Sequence, residues 1–211
     1  MAGEQKKRVC VAFPSGDLVN VRFVKSLLDL FHYSSGSIDI FWSNFVGSRI
    51  TENRNNLVRM AQEGSADYIL FIDSDMTFPP DSLVRLLSHD MDIVCATASK
   101  RNEECRDMIG IPTDSADGIT SKVLVEMESI GLPFMLIKMS VFDKIKKPYF
   151  AEPENGEDLI PEDAYFCNKV RGERFRIFCD LPLSLHMGHL GFKEYKIEPK
   201  TAEPPILRVV A

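Results

Sequence analysis

The feature that most constrains the fold is the apolar run Tyr68–Ile72, which reads YILFI and stops at an acidic loop. A run without a polar face is typical of a parallel strand that is covered on both sides of a sheet. Ligands of open α/β sheets bind beyond the carboxyl ends of the strands. Asp73, Ser74 and Asp75, which follow directly, are therefore candidate binding residues.

The segments around this run alternate between strand-like and helix-like patterns. Strands are predicted at residues 8–13, 37–42, 68–72 and 92–97. Helices are predicted after residue 16, from Thr51 to near Gly64 and from Pro80. The first helix is predicted to bury Val21, Val24, Leu28 and Phe31. This order predicts an open, mostly parallel sheet that is flanked by helices.

The second half of the chain is less regular. Its polar residues 101–118 predict a loop near the site. Beyond this loop we expect a strand pair near 119–128, an apolar run at 132–137, helices near 140–145 and 162–171, and strands at 176–180 and 183–186. No linker composition or internal repeat indicates a domain boundary, so the 211 residues are expected to form a single domain.

Composition argues against several classes of protein. The net charge of -6 and the pI near 5.3 argue against a protein that coats nucleic acid. No run approaches the roughly 20 apolar residues of a membrane span, and no apolar signal region lies near the start. The five cysteines are odd in number, so reduced thiols are expected. We therefore expect a cytoplasmic protein without a membrane partner.

Asp73 and Asp75 are two carboxylates at the tip of a buried strand. Their hard oxygens suit Mg²⁺ or Mn²⁺, which usually keep positions open for water and phosphate. An arbitrary D-x-D pair is more often a turn cap and a solvated side chain. Because a fully apolar strand precedes this pair, the sequence favours a site for a metal-bound diphosphate.

A second acidic pair, Glu162 and Asp163, begins a predicted helix. Acids in the first turn commonly complement a helix N-terminus, which explains Glu162. Asp163 instead begins an apolar stripe with Phe166, Cys167 and Val170, and is predicted to face inward. A general base needs a partly desolvated position near its substrate, so Asp163 is the candidate base.

Histidine and arginine residues complete the candidate set. His186 and His189 lie beside Gly188 and Gly191, and glycines allow the backbone to approach a bound group closely. Either histidine is a candidate metal ligand. Arg54, near the start of the second helix, is a candidate ligand for phosphate or base.

In chain order, these motifs resemble those of GT-A-type glycosyltransferases. The pattern comprises the strand ending at Pro14, Arg54-Asn55, the stretch FIDSDMTFP, Gly131 to Lys138, Glu162-Asp163 and the final H-x-G. It most resembles the compact family 2-like members frequent in bacteriophage and prophage genomes, and it covers about residues 8–195. The resemblance implies a Rossmann-like GT-A fold of hexosyltransferase type. Its nucleotide-binding half would be about 1–100 and its acceptor half about 101–195, with a tail at 196–211.

The resemblance implies a role for each residue on the donor side. The second acid of D-x-D binds the Mn²⁺ or Mg²⁺ that bridges the diphosphate of a nucleotide-sugar, here a UDP-sugar. The first acid reaches the ribose or the water shell of the metal. These acids would be Asp75 and Asp73, with Ser74 between them. The residues expected to meet the nucleotide are Phe13, Pro14, Ser15 and Arg54.

The resemblance also implies the catalytic residues and the acceptor. In inverting members the aspartate of the E-D pair deprotonates the acceptor hydroxyl, which would be the role of Asp163 beside Glu162. The downstream histidine binds the metal, and His189 fits slightly better than His186. Phage relatives suggest hydroxymethylated pyrimidines in DNA as the acceptor, with a soluble glycan as the alternative. The basic residues that could contact DNA phosphates are Lys100, Arg101, Arg106, Lys144, Lys146 and Lys147.

Other functions fit parts of the same sequence. FIDSDMT also matches the D-x-D-x-T motif of HAD-type phosphatases, in which Asp73 would be the nucleophile and Asp75 the acid/base. That motif normally lies on the first strand and needs a later G-D-x-x-x-D, which the sequence lacks. A nucleotidyltransferase would leave the E-D pair and H-x-G unexplained. A non-catalytic sugar-nucleotide-binding protein is the third alternative, although a pure binder has no use for a base.

Overall fold

The computed structural model describes residues 6–101, 109–113, 123–155, 158–191 and 194–196. Within these ranges the chain forms strands and helices that alternate most regularly in its first half. In chain order the elements are β1 Arg8–Ser15, α1 Val21–Ser34, β2 Asp39–Val46, α2 Ile50–Glu63, β3 Tyr68–Ile72, β4 Met76–Thr77, α3 Ser82–Ser88, β5 Ile93–Cys95, β6 Ile111–Pro112, β7 Leu124–Ser129, β8 Phe134–Lys138, α4 Met139–Phe142, β9 Glu154–Asn155, β10 Asp158–Leu159, α5 Glu162–Gly172, β11 Ile177–Asp180, α6 Leu181–Ser184, β12 Gly188–Leu190 and β13 Glu194–Tyr195.

One large sheet organises these elements. Its strand order is β2-β1-β3-β8-β5-β11-β7-β6. β1 pairs in parallel with β2 and β3, and β5 pairs in parallel with β11. Only β8 and β7, among the described strands of this sheet, run against the common direction. The structure therefore confirms the predicted open, mixed and mostly parallel sheet flanked by helices.

The central strand β3 is buried along its whole length, as YILFI predicts. Its Ile69 and Phe71 pack in one apolar cluster with residues of α2 and α5. Leu70 and Ile72 pack in a second cluster with residues of α1 and α3. Side chains alternate across a strand, so these two clusters cover the two faces of the sheet.

The buried face of α1 differs from the predicted one. Phe23 and Leu30 are buried, whereas Val21 and Leu28 are 77% and 64% exposed. Both pairs recur at the same seven-residue spacing, so periodicity could not distinguish between them. The sheet decides the face, because the Phe23 ring meets the Phe13 ring of β1 edge-on at 5.3 Å. The predicted α1 stripe was therefore wrong at Val21 and Leu28, whereas Val24 and Phe31 are partly buried and pack against the core.

The predicted strand at residues 183–186 was also wrong, because this segment begins in α6 and ends in a turn. The Asp180 side chain accepts a hydrogen bond from the Leu183 N–H at 2.9 Å, and Pro182 lies in the first turn. A capping carboxylate and an early proline both favour a helix start. The next strand, β12, begins only at Gly188. By contrast, α2, α3 and α5 lie within two residues of their predicted bounds or starts.

Some predictions fall on other parts of the chain. The loop expected at 101–118, the strand pair near 119–128 and the tail at 196–211 lie wholly or partly outside the described residues, as do Cys105 and Arg106. The cysteines within the described ranges are buried free thiols. Across those same ranges, no helix is both long enough and apolar enough to cross a bilayer.

Candidate functional site

A cavity of about 380 Å³ lies at the carboxyl ends of β1, β2 and β3. Its lining consists of Pro14, Ser15, Gly16, Gly47, Ser48, Ile50, Asn53, Arg54, Asp73, Ser74, Asp75 and Glu162. Most of the predicted site residues belong to this lining. A larger cavity of about 610 Å³ lies between Arg8, Asp39 and Asp67 at the opposite edge of the sheet, and none of the predicted residues lines it. The chemistry therefore points to the smaller cavity.

Arg54 of α2 connects the two acidic pairs of the sequence. Its Nη2 donates a hydrogen bond to Asp73 Oδ1 at 3.0 Å, and its Nη1 lies 3.3 Å from Glu162 Oε1. The Arg54 side chain is only 4% exposed, compared with 33% for Asp73 and 14% for Glu162. One buried guanidinium thus joins the end of β3 to the start of α5.

The Arg54 guanidinium retains unused hydrogen-bonding capacity. Its Nε is buried and has no hydrogen-bond partner among the described residues, and its buried Nη1 makes an ion pair with Glu162 but no hydrogen bond within them. Buried donors in folded proteins normally have partners, so such N–H groups at the wall of a cavity are suited to donate a hydrogen bond to a ligand oxygen. The ring of Phe150 lies 5.9 Å from the guanidinium carbon and restricts where such a ligand could approach.

The acids of the cavity influence each other's protonation. Burial raises the pKa of Asp73, and the positive charge of Arg54 opposes that increase. Burial likewise raises the pKa of Glu162, again against the effect of Arg54. The negative charge of Asp163 contributes to both increases. Asp73 and Glu162 therefore share one arginine, with the negative charge of Asp163 nearby, an arrangement that a further cation would stabilise.

Asp75 lies beside His189 of the small sheet formed by β4, β12 and β13. The Leu190 N–H donates to the Asp75 carbonyl oxygen at 2.7 Å, which holds β12 against the acidic loop. His189 Nε2 lies 3.7 Å from Asp75 Oδ2. His189 Nδ1 lies 2.9 Å from the Ser99 carbonyl oxygen, which can only accept, so Nδ1 carries a proton.

Asp75 and His189 are the residues of this site that could hold a divalent cation. Burial lowers the pKa of His189, so the imidazole is neutral near pH 7 and its Nε2 offers a lone pair. Asp75 Oδ1 is buried and lacks a hydrogen-bond partner within the described part of the chain. In that same part no three His, Cys, Asp or Glu side chains are grouped to hold a metal ion. Mg²⁺ and its substitutes often take one or two protein ligands and complete their shell with phosphate and water, so two ligands suffice.

The remaining predicted residues, Phe13, Asp163, His186 and His189, are not among the residues that line the cavity. The Phe13 ring is buried and stacks on Trp42, and it does not line the cavity. His186 is exposed in the turn after α6, so the structure brings His189 and not His186 beside Asp75. Asp163 is partly exposed, and its Oδ2 would lie 3.5 Å from a Cβ atom at Gly131. It therefore borders the loop that precedes β8.

Several residues of the site were not predicted from the sequence. Asn53 Nδ2 donates to the Gly47 carbonyl oxygen at 2.9 Å, and a Cβ at Gly47 would lie only 2.6 Å from Asn53 Oδ1. Gly47 and Ser48 follow β2, which ends at Val46, whereas the strand was predicted to end at residue 42, so the predicted strand end did not indicate them. Arg101 was predicted only as a contact for DNA phosphates, and its pairing with Asp75 was missed because it lies in a polar segment without periodicity.

Asn55, the neighbour of Arg54, faces away from the cavity and has a structural role. Its Oδ1 accepts hydrogen bonds from the Tyr149 and Phe150 N–H groups at 2.9 and 3.3 Å. Its Nδ2 donates to the Phe150 carbonyl oxygen at 2.8 Å. Asn55 therefore anchors the segment whose Phe150 ring lies against Arg54.

Comparisons with known proteins bear on the fold. No family model matches the sequence, and no curated protein matches it. The crystal structure of A197 from STIV is similar with a TM-score of 0.62 and 18% identity, over 96% of this chain and 95% of that chain. At this identity the similarity shows a shared fold and nothing about activity.

Two structures of UDP-glucose pyrophosphorylase are more distant neighbours. The one complexed with UDP-glucose has 8% identity, covers 84% of this chain and 90% of that chain, and has a TM-score of 0.49. The apo structure has 10% identity, covers 83% and 73%, and has a TM-score of 0.42. These scores are too low to support a functional inference. The fold therefore rests on the sheet topology and on the similarity to A197, and no sequence match shows a glycosyltransferase family.

Proposed function

We propose that this protein is a divalent-cation-dependent glycosyltransferase that moves a sugar from a UDP-sugar to an acceptor hydroxyl. The observation that carries the proposal is the convergence of Asp73, Asp75, Arg54 and Glu162 on one cavity at the carboxyl edge of the sheet. Its volume of about 380 Å³ falls within the roughly 300–1,000 Å³ of small-molecule sites. Polar atoms without partners in its wall support a charged, oxygen-rich ligand.

On the donor side, Asp75 and His189 would hold Mn²⁺ or Mg²⁺. The cation would stabilise the negative charge of the departing diphosphate. Asp73 would reach the ribose or the water around the cation, and Arg54 Nε, which has no hydrogen-bond partner among the described residues, donates to an oxygen of the nucleotide-sugar. Pro14 and Ser15, at the end of β1, contact the nucleobase.

On the acceptor side, Asp163 acts as the general base. It takes the proton of the acceptor hydroxyl while that oxygen bonds to the anomeric carbon of the sugar. The bond from this carbon to the diphosphate oxygen breaks, and its electrons leave with the nucleoside diphosphate. Attack from the opposite face inverts the configuration. Glu162 remains paired with Arg54 and holds the start of α5 at the cavity.

The acceptor is either a hydroxymethylated pyrimidine in DNA or a soluble glycan. Of the basic residues that could contact DNA phosphates, Arg101 is paired with Asp75, and the Lys147 ammonium lies 5.7 Å from the centre of the Tyr149 ring. Phosphate contacts by these two residues would therefore compete with existing protein contacts. The two acceptor classes should be assayed in parallel.

Donor binding is tested by isothermal titration with UDP in the presence and absence of Mn²⁺. We expect binding that requires Mn²⁺ and that Asp75→Asn abolishes. Asp29→Asn is the matched control, because Asp29 is an exposed acid of α1 that pairs with Lys25. Unchanged Mn²⁺-dependent binding by Asp75→Asn would refute the assigned D-x-D role.

Transfer is tested with Asp163→Asn against a panel of UDP-sugars and both acceptor classes. We expect this variant to bind UDP and Mn²⁺ normally and to lose transfer, and wild-type turnover would exclude Asp163 as the base. Phosphate release from phosphomonoesters without UDP binding would instead indicate a phosphohydrolase that uses Asp73 as its nucleophile. UDP binding without turnover on any acceptor would indicate a non-catalytic sugar-nucleotide-binding protein.

A further inference from the structure

Arg101 lies where a cation bound to Asp75 would have to lie. Its Nη2 pairs with Asp75 Oδ2, the same oxygen that is 3.7 Å from His189 Nε2. The proton on His189 Nδ1 is directed to the Ser99 carbonyl, so Nε2 and the carboxylate face each other as two acceptors. The guanidinium supplies the positive charge that this arrangement needs.

The local structure positions Arg101 for this contact. Ser99, which orients the His189 ring, precedes Arg101 by two residues, so one short segment places both the imidazole and the guanidinium. Gly191 adjoins the arginine, because a Cβ atom at that position would lie 3.3 Å from Arg101 Cδ. The glycine of H-x-G therefore leaves space for the arginine stem.

A guanidinium and a divalent cation cannot both occupy this position. Like charges a few ångströms apart repel even in water, and the repulsion doubles when one charge is divalent. The side chains of Arg101 and Asp75 are 42% and 40% exposed. Exposed ion pairs of this kind contribute little to stability, so a metal could displace the arginine at low cost.

We infer that Arg101 is an internal cation that occupies the Asp75–His189 site in the metal-free protein and is displaced when a divalent cation binds. This inference rests on the cation site of the proposed function. Arg101 thereby weakens the affinity of the free protein for the metal. After displacement, its guanidinium can pair with a phosphate oxygen of the donor.

The test is a titration of Mn²⁺ into the nucleotide-free protein, followed by the electron paramagnetic resonance signal of unbound Mn²⁺. We expect Arg101→Gln to bind Mn²⁺ about tenfold more tightly than the wild type, because a competing positive charge is removed. Arg101→Lys keeps that charge and should stay close to the wild type. Arg59→Gln is the matched control, since Arg59 is a 52% exposed arginine of α2 that pairs with Glu63. The double variant Asp75→Asn/Arg101→Gln should lose the tightened binding.

Equal or weaker Mn²⁺ binding by Arg101→Gln, or no Mn²⁺ binding by either protein, would overturn the inference. Separate titrations with UDP keep its failure distinct from that of the proposed function. Tighter Mn²⁺ binding by Arg101→Gln without UDP binding would uphold the displaced arginine and reject the glycosyltransferase. If UDP binding requires Mn²⁺ but Arg101→Gln leaves the Mn²⁺ affinity unchanged, the displaced arginine is rejected and the donor site of the proposed function is upheld.

Discussion

Replacement of Arg54 by Gln should destabilise the protein in a pH-dependent manner. The 4% exposed guanidinium is the positive charge shared by Asp73 and Glu162, at 3.0 and 3.3 Å. Removing one partner of a buried ion pair typically costs about 3–5 kcal/mol, because the other charge remains uncompensated. Asp73 is 33% exposed and partly solvated, so we expect the lower end of that range, about 3 kcal/mol at pH 8.

The dependence on pH follows from the two carboxyl groups. Burial raises the pKa of Asp73 and of Glu162, and Arg54 opposes both increases. In Arg54→Gln both pKa values rise further, so the folded variant binds protons that the unfolded chain releases above about pH 4. The stability of the variant therefore falls as the pH rises through the raised pKa values. The difference in free energy of unfolding between the wild type and Arg54→Gln should be smallest near pH 5 and largest near pH 8.

Urea unfolding followed by far-ultraviolet circular dichroism at pH 5 and pH 8 measures this difference. Arg54→Lys should lose less stability than Arg54→Gln, because its ammonium keeps the positive charge. It should still be less stable than the wild type, because an ammonium cannot reach two carboxylates as a planar guanidinium does. Arg59→Gln removes an exposed arginine from the same helix and should change stability by less than about 0.5 kcal/mol. Wild-type stability of Arg54→Gln at pH 8, or a loss that is the same at both pH values, would refute this reasoning.

Two further predictions concern stability. Burial would raise the pKa of Asp180, but hydrogen bonds from Arg85 at 2.6 and 2.8 Å and from the Leu183 N–H outweigh it and lower the pKa. Asp180→Asn should therefore lower the free energy of unfolding by about 3–5 kcal/mol, measured with urea at pH 7. This loss should shrink as the pH falls below about 4, because the wild-type carboxylate then becomes protonated. An equal loss at pH 3 would contradict the pairing. Asn55→Ala should cost about 2–3 kcal/mol in the same assay, because it leaves backbone groups near Phe150 without partners. A loss no larger than that of Asn56→Ala, an exposed neighbour, would exclude this anchoring role.

Several parts of the fold could be predicted because their signals are local. The run YILFI predicted β3 with its observed bounds, since five apolar residues rich in β-branched and aromatic side chains are typical of a short strand covered on both faces. Pro161 and the acids after it predicted α5 from Glu162 onward. The position of Asp73 and Asp75 beyond β3 then follows from strand direction, and so does the cavity at that edge.

Other parts could not be predicted, because they depend on which elements meet. The pairs Val21/Leu28 and Phe23/Leu30 of α1 have the same spacing, and the packing of Phe23 against the rings of Phe13 and Phe78 selects the second pair. The segment after β11 has strand-like residues, but the buried Asp180 side chain caps a helix there. Neither outcome can be derived from the spacing of apolar residues along the chain.

By itself, the sequence determined where the acids stand relative to a buried strand and which residue types could bind a cation, a diphosphate and a proton. The tertiary structure decided which of them share a cavity. Arg54 meets Asp73 and Glu162, and Arg101 meets Asp75, only because the loops and helix starts beyond the parallel strands come together at one edge of the sheet. Ion pairs between distant segments depend on how the elements pack, and local periodicity carries no information about such packing.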